Sequence, residues 1–195
     1  YPAETTATMP LGSTLQAVDI GYKKKLVDVS ASLLSFRNWT YRFSFKRDVR
    51  DGTRPINTAF FSTAQQIVAP VDQTTDQLEV SAAYATRALQ ATLAYQLSRF
   101  GNGPEALTFG NPFTPVRGAS LGQLALAPDN QMHQIVATAG LEVTPAVRVS
   151  ADMAYGRLTQ NAGFLPATLN AALASGVPQL PMASLDGKVS TFNSN

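Results

Sequence analysis

Cysteine is absent from the 195 residues, which excludes disulfides, thiolate metal sites, iron–sulfur clusters and covalently attached haem from this sequence. Charge is scarce: Asp, Glu, Lys and Arg make up 14%, against about 25% in an ordinary soluble domain. The 15 basic and 13 acidic residues leave a net charge of +2, too even a balance for a nucleic-acid-binding surface. No apolar run reads as a membrane helix. The longest apolar stretch, Phe164 to Leu185, is interrupted by Pro166, Asn170, Gly176, Pro178, Gln179 and Pro181, and we expect a loop with one or two helical turns around Ala167 to Ala174. A Ser-His-Asp arrangement, a phosphate-cradling glycine loop and a metal-ligand cluster are all missing, so no enzymatic chemistry is expected.

What the sequence does hold is alternation with a period of two, the mark of a β-strand with unlike faces. Trp39, Tyr41, Phe43 and Phe45 alternate with Thr40, Arg42, Ser44 and Lys46. Just upstream, Val27, Val29, Ala31 and Leu33 alternate with Asp28, Ser30 and Ser32, so residues 24–47 read as a hairpin. The unit recurs at 75–99, where Leu78, Val80, Ala82 and Tyr84 are followed, after Ala85-Thr86-Arg87, by Leu89, Ala91, Leu93, Tyr95 and Leu97. A third hairpin, 132–156, turns at Thr144-Pro145 between Ile135–Val143 and Val147–Tyr155. Gln16 to Tyr22 reads as a further strand, with Lys23-Lys24-Lys25 as a turn or bulge. Asp186 to Phe192 opens a new alternating run, and no signal pattern follows Tyr1, so further chain is expected to complete the structure.

Between these hairpins lie long connections rich in Gly, Pro, Asn and Thr, about 48–74, 100–131 and 157–184, read as loops. Strict alternation of short turns with long loops is uncommon in compact soluble domains and usual in outer-membrane barrels. The apolar face of the six strands carries no Asp, Glu, Lys or Arg, as a lipid-facing surface requires. The fold expected is therefore all-β, an antiparallel up-and-down transmembrane barrel, with this chain supplying about six or seven strands of a single, larger barrel domain. A soluble β-sandwich binding module has the same alternation with its apolar face turned inward, and stands as an alternative; so does a general diffusion porin.

Several side chains invite functional readings. Arg42, Lys46, Glu79, Arg148 and Asp152 fall on the polar face as lumen-facing partner contacts or cross-strand pairs. Trp39, Tyr41, Tyr84, Tyr95 and Tyr155 read as interfacial aromatics. His133 is the one histidine, expected to hydrogen-bond at a strand end rather than to ligate haem. Lys23-Lys24-Lys25 is either a solvated turn or a contact for lipopolysaccharide phosphates.

A series of short motifs resembles the MtrB/PioB family of outer-membrane proteins associated with decahaem cytochromes. They run in order along nearly the whole chain: Val18-Asp19-Ile20-Gly21, Asn38-Trp39-Thr40-Tyr41-Arg42 with Asp51-Gly52-Thr53, Val71-Asp72-Gln73-Thr74-Thr75-Asp76-Gln77, Leu126-Ala127-Pro128-Asp129-Asn130-Gln131-Met132-His133-Gln134, Ala154-Tyr155-Gly156-Arg157-Leu158-Thr159-Gln160, Phe164-Leu165-Pro166 and Ser184-Leu185-Asp186-Gly187-Lys188-Val189. The resemblance implies a large barrel in the outer membrane of a Gram-negative bacterium. It implies that the barrel encloses a periplasmic multihaem (decahaem) cytochrome c, with an outer-surface multihaem cytochrome as a further partner. Electrons would then cross the membrane haem to haem, in extracellular electron transfer, metal reduction or iron oxidation. On this reading haem c is carried by the partner cytochrome and none is bound by this chain. The cysteine pair found near the N-terminus of some members has no counterpart here.

Overall fold

A computed structural model of the chain describes residues 2–3, 17–34, 37–60, 63–111, 118–176, 183–184 and 186–195. The strands are β1 (Pro2–Ala3), β2 (Gly21–Leu34), β3 (Trp39–Phe60), β4 (Thr63–Ala85), β5 (Leu89–Asn102), β6 (Ala106–Gly110), β7 (Leu121–Ala125), β8 (Asn130–Thr144), β9 (Val147–Gln160) and β10 (Gly187–Ser194). Seven of them follow one another across a single antiparallel sheet in the order β2-β3-β4-β5-β8-β9-β10, β1 adds to β4, and β6 pairs with β7 apart from the rest. The sheet does not close: β2 and β10 are its two edges. An antiparallel meander whose one off-sheet insertion sits between β5 and β8 is the topology of a segment of barrel wall.

Short turns at one end hold the register. Arg37 and Asn38 adopt positive φ between β2 and β3, and the Asn38 carbonyl accepts a hydrogen bond from the Ala85 amide of the neighbouring hairpin. In the next turn Thr86 and Leu89 lock the ends of β4 and β5, the Thr86 amide donating to the Leu89 carbonyl at 2.7 Å and the Leu89 amide to Thr86 Oγ1 at 2.9 Å. The third turn carries a register shift between Glu142 and Thr144.

Cross-strand register puts each polarity on one face along the whole sheet. One row runs Ala31, Phe43, Val80, Tyr95, Ile135, Tyr155, Phe192, and its neighbour runs Leu33, Tyr41, Ala82, Leu93, Ala137, Met153, Ser194. On β5 this outer face offers Leu89, Ala91, Leu93, Tyr95 and Leu97. Nine residues of tilted strand rise roughly 23 Å along a barrel axis, close to the ~25 Å apolar band of outer-membrane barrels.

Nothing in the described residues covers that face. Leu33, Leu93, Met153 and Phe192 are all more than half exposed, and the buried apolar residues are Phe60, Ala69, Val71 and Ala119, all outside the apolar band. The accessible surface is 13767 Å², where a folded soluble chain of this mass would show about 8,900 Å². A soluble sandwich must bury its apolar face against a second sheet, and here the two-stranded β6–β7 sheet packs elsewhere. The apolar face is built to be covered by lipid.

Four expectations are corrected. Residues 48–74 are not an irregular loop: β3 and β4 pair continuously from Trp39↔Tyr84 to Phe60↔Thr63, forming a ribbon that rises well past the belt. Pro55 and Pro70 are tolerated because they lie beyond the last pairs of the flanking strands, Gly21↔Thr53 and Gln73↔Asn102, where no third strand needs their missing N–H. Lys23-Lys24-Lys25 is neither turn nor bulge; β2 runs through it in unbroken register, and residues 17–20 are outside any strand, while Gln16 lies outside the described residues. The 100–131 connection contains the β6–β7 hairpin. In the 157–184 connection, β9 continues to Gln160 and the helical turn is a 3-10 segment, Ala171–Gly176, later than expected.

The connections pack on one another. Phe60 and Phe109 meet edge to face, centroids 5.5 Å apart, and both rings lie over Gly122, where a Cβ would overlap Phe109 and come within 2.9 Å of Phe60 Cζ. Asn170, one of the few buried polar residues, ties this package together: its Oδ1 accepts from the amides of Ser120 and Leu121, both at 2.9 Å, and its Nδ2 donates to the Leu121 carbonyl at 2.9 Å.

Two outcomes follow. In the full-length barrel, Leu93→Arg places a charge mid-belt on the lipid face and should cost about 2–4 kcal/mol in reversible unfolding from vesicles, while Thr92→Arg, one residue away on the inner face, should cost under about 1 kcal/mol. Equal costs would remove the assignment of faces. Gly122→Val should open residues 118–129 to protease in detergent while the heat-modifiable barrel remains, because the added side chain overlaps the Phe109 and Phe60 rings.

Candidate functional site

The face opposite the apolar one is the candidate inner wall. Thr40, Arg42, Ser44 and Lys46 of β3 stand across from Ala83, Ser81, Glu79 and Gln77 of β4. Asp152 of β9 stands across from Thr138, and Arg148 across from Glu142. The register thus brings Arg42, Lys46, Glu79, Arg148 and Asp152 to one face, though not into one cluster. Glu79 Oε2 accepts a hydrogen bond from Gln96 Nε2 at 3.0 Å. Arg148 reaches back over Gly140 and donates to Gln90 Oε1 at 2.8 Å. Among the described residues Arg42, Lys46 and Asp152 form no ion pair, although Lys46 lies across from Asp28. The wall therefore displays charges of both signs on a surface of Ser, Thr, Gln and Ala, the composition of a water-filled or protein-filled interior.

Sequence reasoning missed one inner-face cluster. Lys24, Asp48 and Arg50 share the parity of Lys46, just above the belt, and Asp48 receives the Arg50 guanidinium at 3.2 and 3.3 Å and Lys24 Nζ at 3.1 Å. The Arg50 hydrogen bonds, with Lys24 in support, hold the Asp48 carboxyl below its ordinary range despite its partial burial, and Asp48 in turn raises Arg50. Lys24 was hidden in a run of three lysines, whose division between faces only the register decides.

The aromatics fall into two groups on the outer face. Trp39, Tyr41 and Tyr84 gather by the short turns: Trp39 lies parallel to Tyr41 at 6.1 Å and tilted against Tyr84 at 5.0 Å. Tyr95 and Tyr155 flank Ile135 in one row nearer the long connections. His133 sits one outward position beyond that row. Its Nε2 lies 2.6 Å from Gln131 Nε2 and its Nδ1 2.6 Å from Tyr95 Oη. Both ring nitrogens are thereby occupied, on the face turned away from the inner wall. Among the described residues no group of three or more His, Asp or Glu is placed to hold a metal ion.

Beyond the aromatics the outer face turns charged. Arg47, Asp76 and Arg99 stand side by side in one row, with Arg47 Nε 2.9 Å from Asp76 Oδ1. On β2 the outer residues change from Val29 and Val27 to Lys25 and Lys23, opposite Val49 and Asp51. This row marks the edge of the apolar belt on the side of the long connections.

Comparison with known proteins agrees with this architecture. The chain is 27% identical over 196 residues to outer membrane protein MtrB of Shewanella baltica (strain OS185), an alignment that takes in 99% of this chain and 27% of that protein. The chain thus spans about a quarter of the length of this relative. The family described as outer membrane beta-barrel porin, MtrB/PioB, matches residues 2–195. That family is one of membrane barrels rather than of enzymes. With an apolar outer belt, an open antiparallel meander and a family match over residues 2–195, the chain belongs to the MtrB/PioB family of outer-membrane β-barrel proteins.

Proposed function

We propose that this chain forms part of a barrel wall that holds and insulates a multihaem c-type cytochrome, so that electrons cross the outer membrane from haem to haem inside a protein sheath. The observation that carries the reading is the inner wall: Arg42 and Lys46 stand there without an ion-pair partner among the described residues, on a surface otherwise of Ser, Thr, Gln and Ala. A wall that merely lines water gains by pairing such charges across strands, whereas a wall facing a protein keeps them for the partner's surface. The packed connections support the same reading. Phe60, Ala69 and Val71, buried beneath them, continue the inner-face parity of β3 and β4. These connections therefore gather on the inner side of the ribbon.

In this role the chain carries no redox chemistry and no catalytic residue. Haem c belongs to the cytochrome; the wall contributes a lipid-excluding outer face, polar contacts inside and a fixed position across the bilayer. Direct contact between haem edges and lipid is prevented along this wall because each strand from β2 across to β10 is hydrogen-bonded to the next.

A diffusion porin is the second reading, favoured by the description of the family as porins. One experiment separates them. The full-length protein, extracted from outer membranes in mild detergent, should elute on size exclusion with a haem Soret band, and Arg42→Glu with Lys46→Glu should lower the co-eluting haem several-fold at unchanged barrel yield. A colourless barrel that conducts ions in planar bilayers would establish the porin instead, and would leave the inner charges as pore-lining groups.

A further inference from the structure

We propose that the outer face above the belt at β2–β5 binds the phosphate groups of a phosphorylated outer-leaflet lipid, with Lys23 and Lys25 as the primary contacts and Arg99 in support. The three consecutive lysines of β2 are divided by the pleat. Lys24 takes the inner face and is engaged by Asp48 at 3.1 Å, whereas Lys23 and Lys25 share the outer face with Val27 and Val29. Neither has an ion-pair partner among the described residues: the four ion pairs are Lys24–Asp48, Arg47–Asp76, Arg50–Asp48 and Lys188–Asp186.

Their level decides what they meet. Lys25 is the first outer residue of β2 past the apolar run; its own row continues through Val49, Thr74 and Gly101, and the next row toward the belt holds Val27, Arg47, Asp76 and Arg99. Asp76 is taken by Arg47 at 2.9 and 3.1 Å, which leaves Arg99 across from an already engaged carboxylate. Asp51 stands opposite Lys23 without closing an ion pair. Counting Lys23, Lys25, Arg47 and Arg99 against Asp51, Asp72 and Asp76 gives an excess of one positive charge on this patch. A lysine at the edge of a lipid-facing surface lays its apolar stem on the hydrocarbon and lifts its ammonium to the headgroup layer. The long connections mark the outward end of a barrel, so that layer belongs to the outer leaflet, whose characteristic lipid carries phosphates on a sugar base. The site depends on the membrane orientation alone and is independent of what fills the lumen.

The test uses the full-length barrel, purified in detergent and titrated with bis-phosphorylated lipid A, with bound lipid read by native mass spectrometry. Lys23→Gln with Lys25→Gln should weaken binding roughly 30-fold. Lys24→Gln should leave it unchanged, Lys23→Arg with Lys25→Arg should retain it, and dephosphorylated lipid A should bind wild type no better than the double glutamine variant. Equal binding of bis-phosphorylated lipid A by wild type and the double glutamine variant, or equal binding of both lipids by wild type, overturns the proposal. Unchanged heat-modifiability of each variant shows that the barrel itself is intact.

Discussion

An isolated sheet of this kind cannot satisfy itself. Its backbone is paired strand to strand through seven strands, but its outer face holds Leu, Val, Met and aromatic side chains that no other described element covers. In water, leaving a single Leu or Phe uncovered forgoes about 1.5–3 kcal/mol, and this face repeats that deficit row after row. Lipid removes it without requiring a second sheet. Other features follow from that arrangement: backbone groups that leave no gap to the bilayer, charges confined to the inner face or the rims, and a hydrophobic core displaced to the connections.

The belt is bounded by different chemistry at its two ends. By the short turns the boundary is aromatic, with Trp39, Tyr41 and Tyr84 in contact. By the long connections it is electrostatic, with Arg47, Asp76 and Arg99 in a row and His133 bridging Tyr95 and Gln131 just below. A ring of amphipathic indole and phenol groups tolerates small vertical displacements, since each has an apolar body and a polar tip. A row of charges does not, because moving it toward the hydrocarbon desolvates it. The outer rim therefore fixes the depth of this wall and the inner rim follows.

Legibility in the sequence tracked the number of unlike environments a strand separates. Trp39–Phe45 and Leu89–Leu97 divide lipid from lumen, so each second residue was forced apolar and both the strands and their faces could be read directly. Above the belt both sides of the ribbon lie outside the hydrocarbon, no alternation is imposed, and the stretch with its two prolines imitated a loop although Asp48–Phe60 is paired throughout with Thr63–Thr75. The short β6–β7 hairpin was concealed likewise. Asn170 was visible only as an interruption in an apolar stretch; its role depends on the amides of Ser120 and Leu121, 50 and 49 residues away, and no local pattern encodes such a contact. Arg42, Lys46, Glu79, Arg148 and Asp152 share one face because parity alone decides it, whereas which of them are paired depends on side-chain reach.

That last distinction bears on the interior. Where the chain stands beyond the belt it neutralises its charges closely: Asp48 is held by Lys24 and Arg50, and Arg47 by Asp76. Within the span, Arg42 and Lys46 remain without ion pairs among the described residues although Asp28 and Glu79 occupy nearby inner-face positions. Cross-strand pairing was therefore available and is not used. Separated charges on a curved wall cost little where water or a polar partner solvates them, and they leave a pattern of alternating potential along the interior. A sheath has use for such a pattern, because charge complementarity orients an enclosed protein without requiring a tight apolar interface that would resist its insertion.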